Sequence, residues 1–312
     1  MDSVSRLLRM ARLKAALDKR CLLGAGTRMH VPAYGELEAP FHVLLDGACR
    51  LQVGTVLLDL RPGDVVMIPS GAPHRVITAG EADPTGTADT AGEAFVTTRS
   101  EHGGEPVIDL FCGHYTFDAG AGSLLFASLP EPVHVSFGQS PESDEVLRML
   151  SALMRGEARR EGEGTAAILS ALCTVLLAMV LRTARGEATG ATLWTAAADG
   201  RIASAVEGML NEPGADWTIE RLSRAAAMSR ATFLRHFTRD TGTTVGAFLA
   251  RARLMAAAEL LTTTDATVAS VAGQVGYSSE SAFSRAFRTH LGTTPARFRR
   301  ERTQAPGTTK AG

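Results

Sequence analysis

The sequence predicts an α+β chain of more than one domain. A β-rich N-terminal part with flanking helices comes first, then an all-α part of two helix-turn-helix units joined by one long helix. Three observations carry this. The chain has 312 residues, more than one compact domain usually holds. From Arg20 to Phe117 short apolar runs alternate with Gly and Pro, the texture of a small barrel or sandwich. Residues 229–244 and 279–294 share one pattern at an offset of 50, which marks a duplicated supersecondary unit. With 45% hydrophobic and 21% charged residues, wholesale disorder is excluded.

The opening MDSVSRLLRMARLKAALDKR lacks the apolar core of a signal peptide, and residues 2–17 read as a basic amphipathic helix. The strand candidates that follow are MHVPAY, FHVLLDG, CRLQV, TVLLDL, DVVMIP, HRVITA and PVIDLFCGHYTF. Residues 80–105, turn-rich and acidic, read as a long mobile loop between two strands. Helices are expected over Gly122–Leu129, Glu142–Gly156 and Thr165–Arg185, and a linker over 184–192. From Asp199 to Arg302 the chain reads as helical throughout, with breaks at Pro213–Gly214, Gly242 and Gly292. The longest apolar run, Ile168–Leu181, has 14 residues, too few to span a bilayer, so no membrane role is expected. Within it Ile168, Leu172, Val175, Leu176 and Met179 form a stripe at helical spacing, suited either to a homodimer contact or to the core. The domain reading is therefore 1–140 for a sensor domain, 141–190 for a helical connector and dimerisation segment, 199–302 for the two-unit domain and 303–312 for a disordered tail.

The net charge of -1 hides an asymmetry. Before Asp199 the chain holds 17 Lys+Arg and 23 Asp+Glu, net -6; from Asp199 onward it holds 15 and 10, net +5, and the two sum to -1. The basic residues of the second part are nearly all Arg, which suits bidentate recognition of phosphate and guanine. A basic third on a near-neutral chain points to an anionic partner, with a merely solvated arginine-rich face as the alternative.

The repeat says which faces would meet that partner. Ser229–Thr244 reads SRATFLRHFTRDTGTT and Ser279–Thr294 reads SESAFSRAFRTHLGTT. Each copy follows a shorter amphipathic stretch, Ile219–Ala227 or Val268–Val275, giving helix, tight turn, helix. Phe233 and Phe237 lie four apart, as do Phe283 and Phe287, so each pair should be buried. His236, beside the first pair, is assigned to the core. The outer face of the first copy is then Arg230, Ala231, Leu234, Arg235 and Thr238; that of the second is Glu280, Ser281, Ser284, Arg285 and Arg288. Such faces read base edges in a major groove, Arg to guanine, Glu to the cytosine amine, Ser to either, which makes double-stranded DNA the expected partner. Ser229 and either Ser278 or Ser279 are placed to cap the helix N-termini.

Residues 276–302, GYSSESAFSRAFRTHLGTTPARFRRER, resemble the second helix-turn-helix signature of AraC/XylS-type transcription regulators. The resemblance extends over about 200–302. It includes the W-T-x-E-x-L opening at Trp217–Leu222, the M-S-R-x-x-F turn at Met228–Phe233, the R-x-x-x-A-x-x-L-L helix at Arg253–Leu261 and the closing T-P-x-x-F-R at Thr294–Arg299. It implies two recognition helices set in successive major grooves, about 34 Å apart. The expected partners are promoter or operator DNA, a second copy of the chain and RNA polymerase.

The N-terminal half resembles a cupin-like β-barrel. Gly63-DVVMI-Pro69-Ser-Gly71-AP-His74 matches the second cupin motif, G-x5-P-x-G-x2-H, although its later Asn is replaced by Thr78. Where a metalloenzyme would offer His-x-His and Glu, this chain has Phe41-His42-Val43-Leu44, so an enzymatic iron site is not expected. Together FHVLLDG, the Gly63–His74 motif and CGHYTFD are similar to the cupin sensor arm of one AraC-type subfamily. MDSVSRLL and LDKRCLLG are similar to its reactive-chlorine-responsive members. That similarity implies oxidant sensing by two cysteines, here at the positions of Cys21 and Cys112.

Four widely spaced cysteines, Cys21, Cys49, Cys112 and Cys173, make no disulfide framework and point to a reducing cytoplasm. Cys21, His42, His74 and Cys112 fall on separate predicted strands. Two thiolates and two imidazoles would suit tetrahedral zinc, with His114 in reserve. The same thiols could form a metal-free redox pair, or all four could be buried fillers. Cys49 and Cys173 are assigned to structure, and His30, His102 and His134 to no special role. The reading is a cytoplasmic, sequence-specific transcription regulator and not an enzyme, its barrel responding to a redox or metal signal. The rival readings are a cupin-fold enzyme with a DNA-binding tail and a regulator whose barrel holds a small organic effector. The effector reading requires residues 42–78 to line a hollow barrel rather than a packed one.

Overall fold

Alternating burial starts earlier in the chain than the sequence pattern announces. In the computed structural model, which describes residues 3–80, 86–101, 104–127, 129–137, 141–160, 162–183 and 200–304, the first helix α1 (Ser3–Met10) ends well before residue 17. Strand β1 (Lys14–Leu23) follows, burying Ala15, Leu17, Cys21 and Leu23. Strands β2 (Arg28–Val31), β3 (Glu38–Gly47), β4 (Cys49–Val53), β5 (Val56–Leu60), β6 (Asp64–Met67) and β7 (His74–Thr78) come next, then β8 (Thr87–Ala91), β9 (Val96–Ser100) and β10 (Ile108–Thr116). A short helix α2 (Ala121–Phe126), strand β11 (Val133–Ser136) and helices α3 (Pro141–Arg160) and α4 (Thr165–Thr183) complete this stretch. The rest is helical: α5 (Gly200–Asn211), α6 (Ile219–Ala225), α7 (Arg230–Thr241), α8 (Val245–Thr263), α9 (Val268–Gln274), α10 (Glu280–Leu291) and α11 (Pro295–Gln304).

The described residues divide into two units. The first, residues 13–117 and 129–187, is the predicted barrel made of two sheets, ordered β11-β6-β3-β10-β1-β9-β8 and β2-β7-β4-β5. Its interior is packed: Leu23, Leu44, Leu51, Leu60, Val66, Ile68, Val76 and Leu110 are all buried in one cluster. The segment expected as a mobile loop contains the β8–β9 hairpin, with β9 pairing in parallel to β1 and Thr98 fully buried. Val96, Thr97 and Thr98 are β-branched, a strand signal that the acidic, turn-rich composition hid. Residues 81–85 and the assigned His102 lie outside the described residues. Helices α3 and α4 belong to the same unit. The expected apolar stripe of α4 is split: Leu176 and Met179 turn into the core, Ile168 and Val175 face out, and Leu172 lies between. No described helix is long and apolar enough to cross a membrane, and the predicted linker 184–192 lies outside the described residues.

The second unit holds residues 1–12, 118–128 and 188–312. Here α1 and α2, sequence neighbours of the barrel strands, pack with the helical part. Leu7, Met10 and Ala11 of the α1 segment and Leu124, Leu125 and Phe126 of α2 are buried, α2 lying against α8 and α10 and α1 against α5. Helix α8 has 19 residues, a rod of about 28 Å at 1.5 Å per residue. Two arginines from the family-like motifs turn out to be structural. Arg253 donates to the carbonyl of Pro213, and Arg299 to those of Leu261 and Ala266, covering loop acceptors that would otherwise go unpaired.

Candidate functional site

The two helix-turn-helix units are built alike. Helices α6 and α9 are each seven residues long and lead through a tight turn into α7 or α10. Ala227 and Gly276 take positive φ at the matching place in the two turns. The second turn is one residue longer, which explains the paired serines: Ser229 caps α7 by accepting from the Thr232 amide, and Ser279, not Ser278, caps α10 by accepting from the Ala282 amide. Gly242 and Gly292 end both recognition helices in the left-handed conformation, where a side chain would be strained. Phe233, Phe237, Phe283 and Phe287 are fully buried. Phe237 meets Phe248 edge-on, and Phe287 meets Phe298 in the same way. His236 is half-buried beside the first pair.

The opposite faces are open as predicted. Arg230, Ala231, Leu234, Arg235 and Thr238 are exposed on α7, and Glu280, Ser281, Arg285 and Arg288 on α10, with Ser284 half-buried. Arg230 pairs with Glu220 at 3.3 Å, both well exposed, a contact worth about 0–1 kcal/mol that a phosphate can displace.

In the barrel, the four residues singled out from the sequence meet. Cys21 on β1 pairs in register with Leu110, so Cys112, two residues on along β10, is its diagonal neighbour. The two sulfurs are 3.5 Å apart. His42 is the register partner of Cys112 across β3–β10, its Nδ1 3.1 Å from Cys112 Sγ. Its Nε2 lies 2.6 Å from Nε2 of His74 in the other sheet. His74 Nδ1 is 2.9 Å from the Ala72 carbonyl.

That carbonyl fixes the direction of the row, because it can only accept. His74 therefore donates from Nδ1 and, being neutral, accepts at Nε2. His42 then donates from Nε2 and accepts at Nδ1, where the Cys112 thiol donates. Both rings are held neutral: burial and the neighbouring His74 push His42 well below the usual histidine range, and burial also lowers His74. The hydrogen bond with Cys21, followed by burial, pushes Cys112 well above the usual thiol range. The resting site is thus a neutral Cys112 thiol beside Cys21, with an imidazole relay behind it.

A single tetrahedral zinc would need the four donors around one point, at about 2.0–2.3 Å. His42 instead points its two nitrogens at different partners, so the donors stand in a row. Among the described residues no group of three or more His, Cys, Asp or Glu is arranged to hold a metal. The zinc expectation does not fit this arrangement. His114 is not part of the row: it bonds Asp18 at 2.8 Å, which raises its pKa. Cys49 and Cys173 are buried, and burial pushes each thiol up to about 12. His134 pairs with Asp64 at 3.2 Å, and His30 is exposed.

The family described as Cupin matches residues 2–185, and the family described as Helix-turn-helix domain matches residues 222–301. The chain is 30% identical over 310 residues to the RCS-specific HTH-type transcriptional activator RclR of Escherichia coli, covering 98% of this chain and 100% of that one. The chain belongs to the AraC-type transcription regulators with an N-terminal cupin domain. It is also 29% identical over 301 residues to an uncharacterized HTH-type transcriptional regulator of Haemophilus influenzae, covering 96% of this chain and 99% of that one. A third relative, the HTH-type transcriptional regulator MtrA of Neisseria gonorrhoeae, is 28% identical over 310 residues, covering 96% and 99% of the two chains. These relatives are named regulators, and the AraC-type protein described here is a DNA-binding regulator rather than an enzyme.

Proposed function

We propose that this regulator acts in the cytoplasm as a homodimer and senses a strong two-electron oxidant by closing a Cys21–Cys112 disulfide, which changes its grip on promoter DNA and its dealings with RNA polymerase. The observation that carries the reading is the 3.5 Å separation of two buried sulfurs. A disulfide needs about 2.05 Å, so a shift of about 1.5 Å joins them. Because the pair is diagonal, closing it drags β1 along β10. Both strands continue directly, at residues 12–13 and 117–118, into segments that belong to the helical unit. The similarity to an RCS-specific activator supports an oxidant as the signal. The test is specific DNA affinity of the full chain at fixed salt, reduced and after mild oxidation. Oxidation should change wild-type affinity at least threefold, and Cys21→Ser and Cys112→Ser should abolish the response. An oxidised wild-type protein carrying the disulfide but binding DNA unchanged would sink the reading.

The dimer surface is proposed on α3 and α4. Val146, Met149 and Leu153 are exposed along α3, Leu153 at 60% and Met149 at 56%, and Ile168 and Val175 along α4. Such a double apolar stripe on a water-facing hairpin fits a second copy of itself. Leu153→Glu should shift the protein to monomer in sedimentation velocity at micromolar concentration; an unchanged dimer would place the interface elsewhere.

A further inference from the structure

We infer that Cys112 is the thiol an incoming oxidant meets, that Cys21 is the thiol that resolves it, and that the way in is a cavity of about 320 Å³ opening beside β2 and the loop before β3. This rests on the redox reading above and assigns the two roles within it.

The cavity is walled by Met29, Val31 and Tyr34 on one side, Lys19 and Thr87 on another, and it reaches Cys112. Cys112 is 5% exposed, whereas Cys21 is 0% exposed and is not among the lining residues. Cys21 sits behind, against Met29 Sδ at 3.6 Å and among Leu23, Leu44 and Leu110. Of the two thiol residues, a molecule in the cavity therefore meets Cys112. A bulge in β1 adds a second feature. The register shifts between Leu17 and Lys19, so Lys19 comes opposite Cys112 and lines the cavity, its ammonium paired with Asp89 at 2.6 Å. His42 Nδ1, 3.1 Å from the same sulfur, is placed to take the thiol proton.

The chemistry is that of a small uncharged hydroperoxide or hypohalous acid, written here for hydrogen peroxide. Cys112 Sγ attacks one peroxide oxygen. The S–O bond forms, the O–O bond breaks with its electron pair on the departing hydroxide, and the thiol proton passes by way of His42 to that hydroxide, giving a sulfenic acid and water. Cys21 Sγ then attacks Cys112 Sγ. The S–S bond forms, the S–O bond breaks, and the leaving hydroxide takes the Cys21 proton as a second water. The two sulfurs lose two electrons in all, and the peroxide gains them.

The full-length single-thiol variants Cys21→Ser and Cys112→Ser separate the roles, with Cys→Ala replacing either serine variant that does not fold. Each is treated with iodoacetamide, or with hydrogen peroxide and dimedone, and labelling is read by peptide mass spectrometry. Cys112 in the first variant should react at least tenfold faster than Cys21 in the second. Equal rates, or a faster Cys21, would overturn the inference. Ala33→Trp, at the exposed mouth of the cavity, should slow disulfide formation at least tenfold in the otherwise wild-type chain; an unchanged rate would rule the cavity out as the route. If the wild-type chain forms no Cys21–Cys112 disulfide, the redox reading itself fails. If the disulfide forms but the order of reactivity is reversed, only this inference fails.

Discussion

Arg285→Ala and Arg235→Ala should each weaken binding to a specific operator by about 1–3 kcal/mol, roughly 5- to 150-fold, and relax the preference at one base position. Both side chains are exposed near the middle of their helices, α10 and α7. Each sits two residues before a buried phenylalanine, Phe287 or Phe237, that pins the helix from behind. The arginine is thereby aimed away from the core by a side chain that cannot rotate. Equivalent places in the two units should give equivalent losses at two sites about one helical turn of DNA apart. The same face should make binding salt-dependent, with a log–log slope of about -0.9 for each phosphate neutralised. Removing a base-reading arginine should lower affinity while leaving most of that slope in place. Removing one that only touches phosphate would reduce the slope by about one and leave specificity intact. A gel shift at several salt concentrations distinguishes these cases. Unchanged affinity in both variants would show that α7 and α10 do not read DNA through these faces.

What could be read from the sequence depended on how local the governing physics was. The helix-turn-helix pair was legible because the whole constraint lies within a few turns: phenylalanines four apart, a serine before each helix and a glycine after it. The strands β1, β8, β9 and β11 were not. Lys14–Leu23 mixes Lys, Asp and Arg with alternating apolar residues and is interrupted by a bulge, so its period of two is broken where it matters. Thr87–Ala91 is a polar strand on the sheet edge, and Val96–Ser100 lies between it and β1, so pairing decides more than an apolar pattern does. The membership of α1 and α2 in the helical unit is a tertiary choice with no local signature. The meeting of Cys21 and Cys112 spans 91 residues and depends on the register of β1 against β10, which spacing alone cannot supply; likeness to a family of regulators pointed to that pair. Where each imidazole nitrogen of His42 and His74 points is likewise set by tertiary packing, and no local pattern announces it.

Gly113→Ala should be a damaging change in the barrel, although it adds one methyl group. Gly113 lies between Cys112 and His114 on β10, paired with Leu17 on one side and Phe41 on the other. A Cβ there would lie 2.2 Å from the carbonyl oxygen of Ala16 and 2.6 Å from the Phe41 ring. The oxygen belongs to the backbone of β1 and cannot swing aside. The Phe41 ring is fully buried and stacked on Tyr115 at 4.6 Å, so it has no room either. One strand must move, at a cost of about 1–3 kcal/mol or more, which in a unit of this size lowers the melting temperature by about 2–4 °C per kcal/mol. The movement falls on the residue next to Cys112, beside the bulge that brings Lys19 opposite it. The gap of 3.5 Å between the sulfurs should therefore widen, and the yield of Cys21–Cys112 disulfide under mild oxidant should fall together with the stability. Gly156→Ala supplies the contrast. It lies within α3, and nothing stands within 4 Å of the added Cβ. That change should be neutral or stabilise the chain by about 0.4–1 kcal/mol, with disulfide formation unaffected. If Gly113→Ala melts like wild type and still closes the disulfide, β1 and β10 are not packed as tightly around the thiols as the distances require.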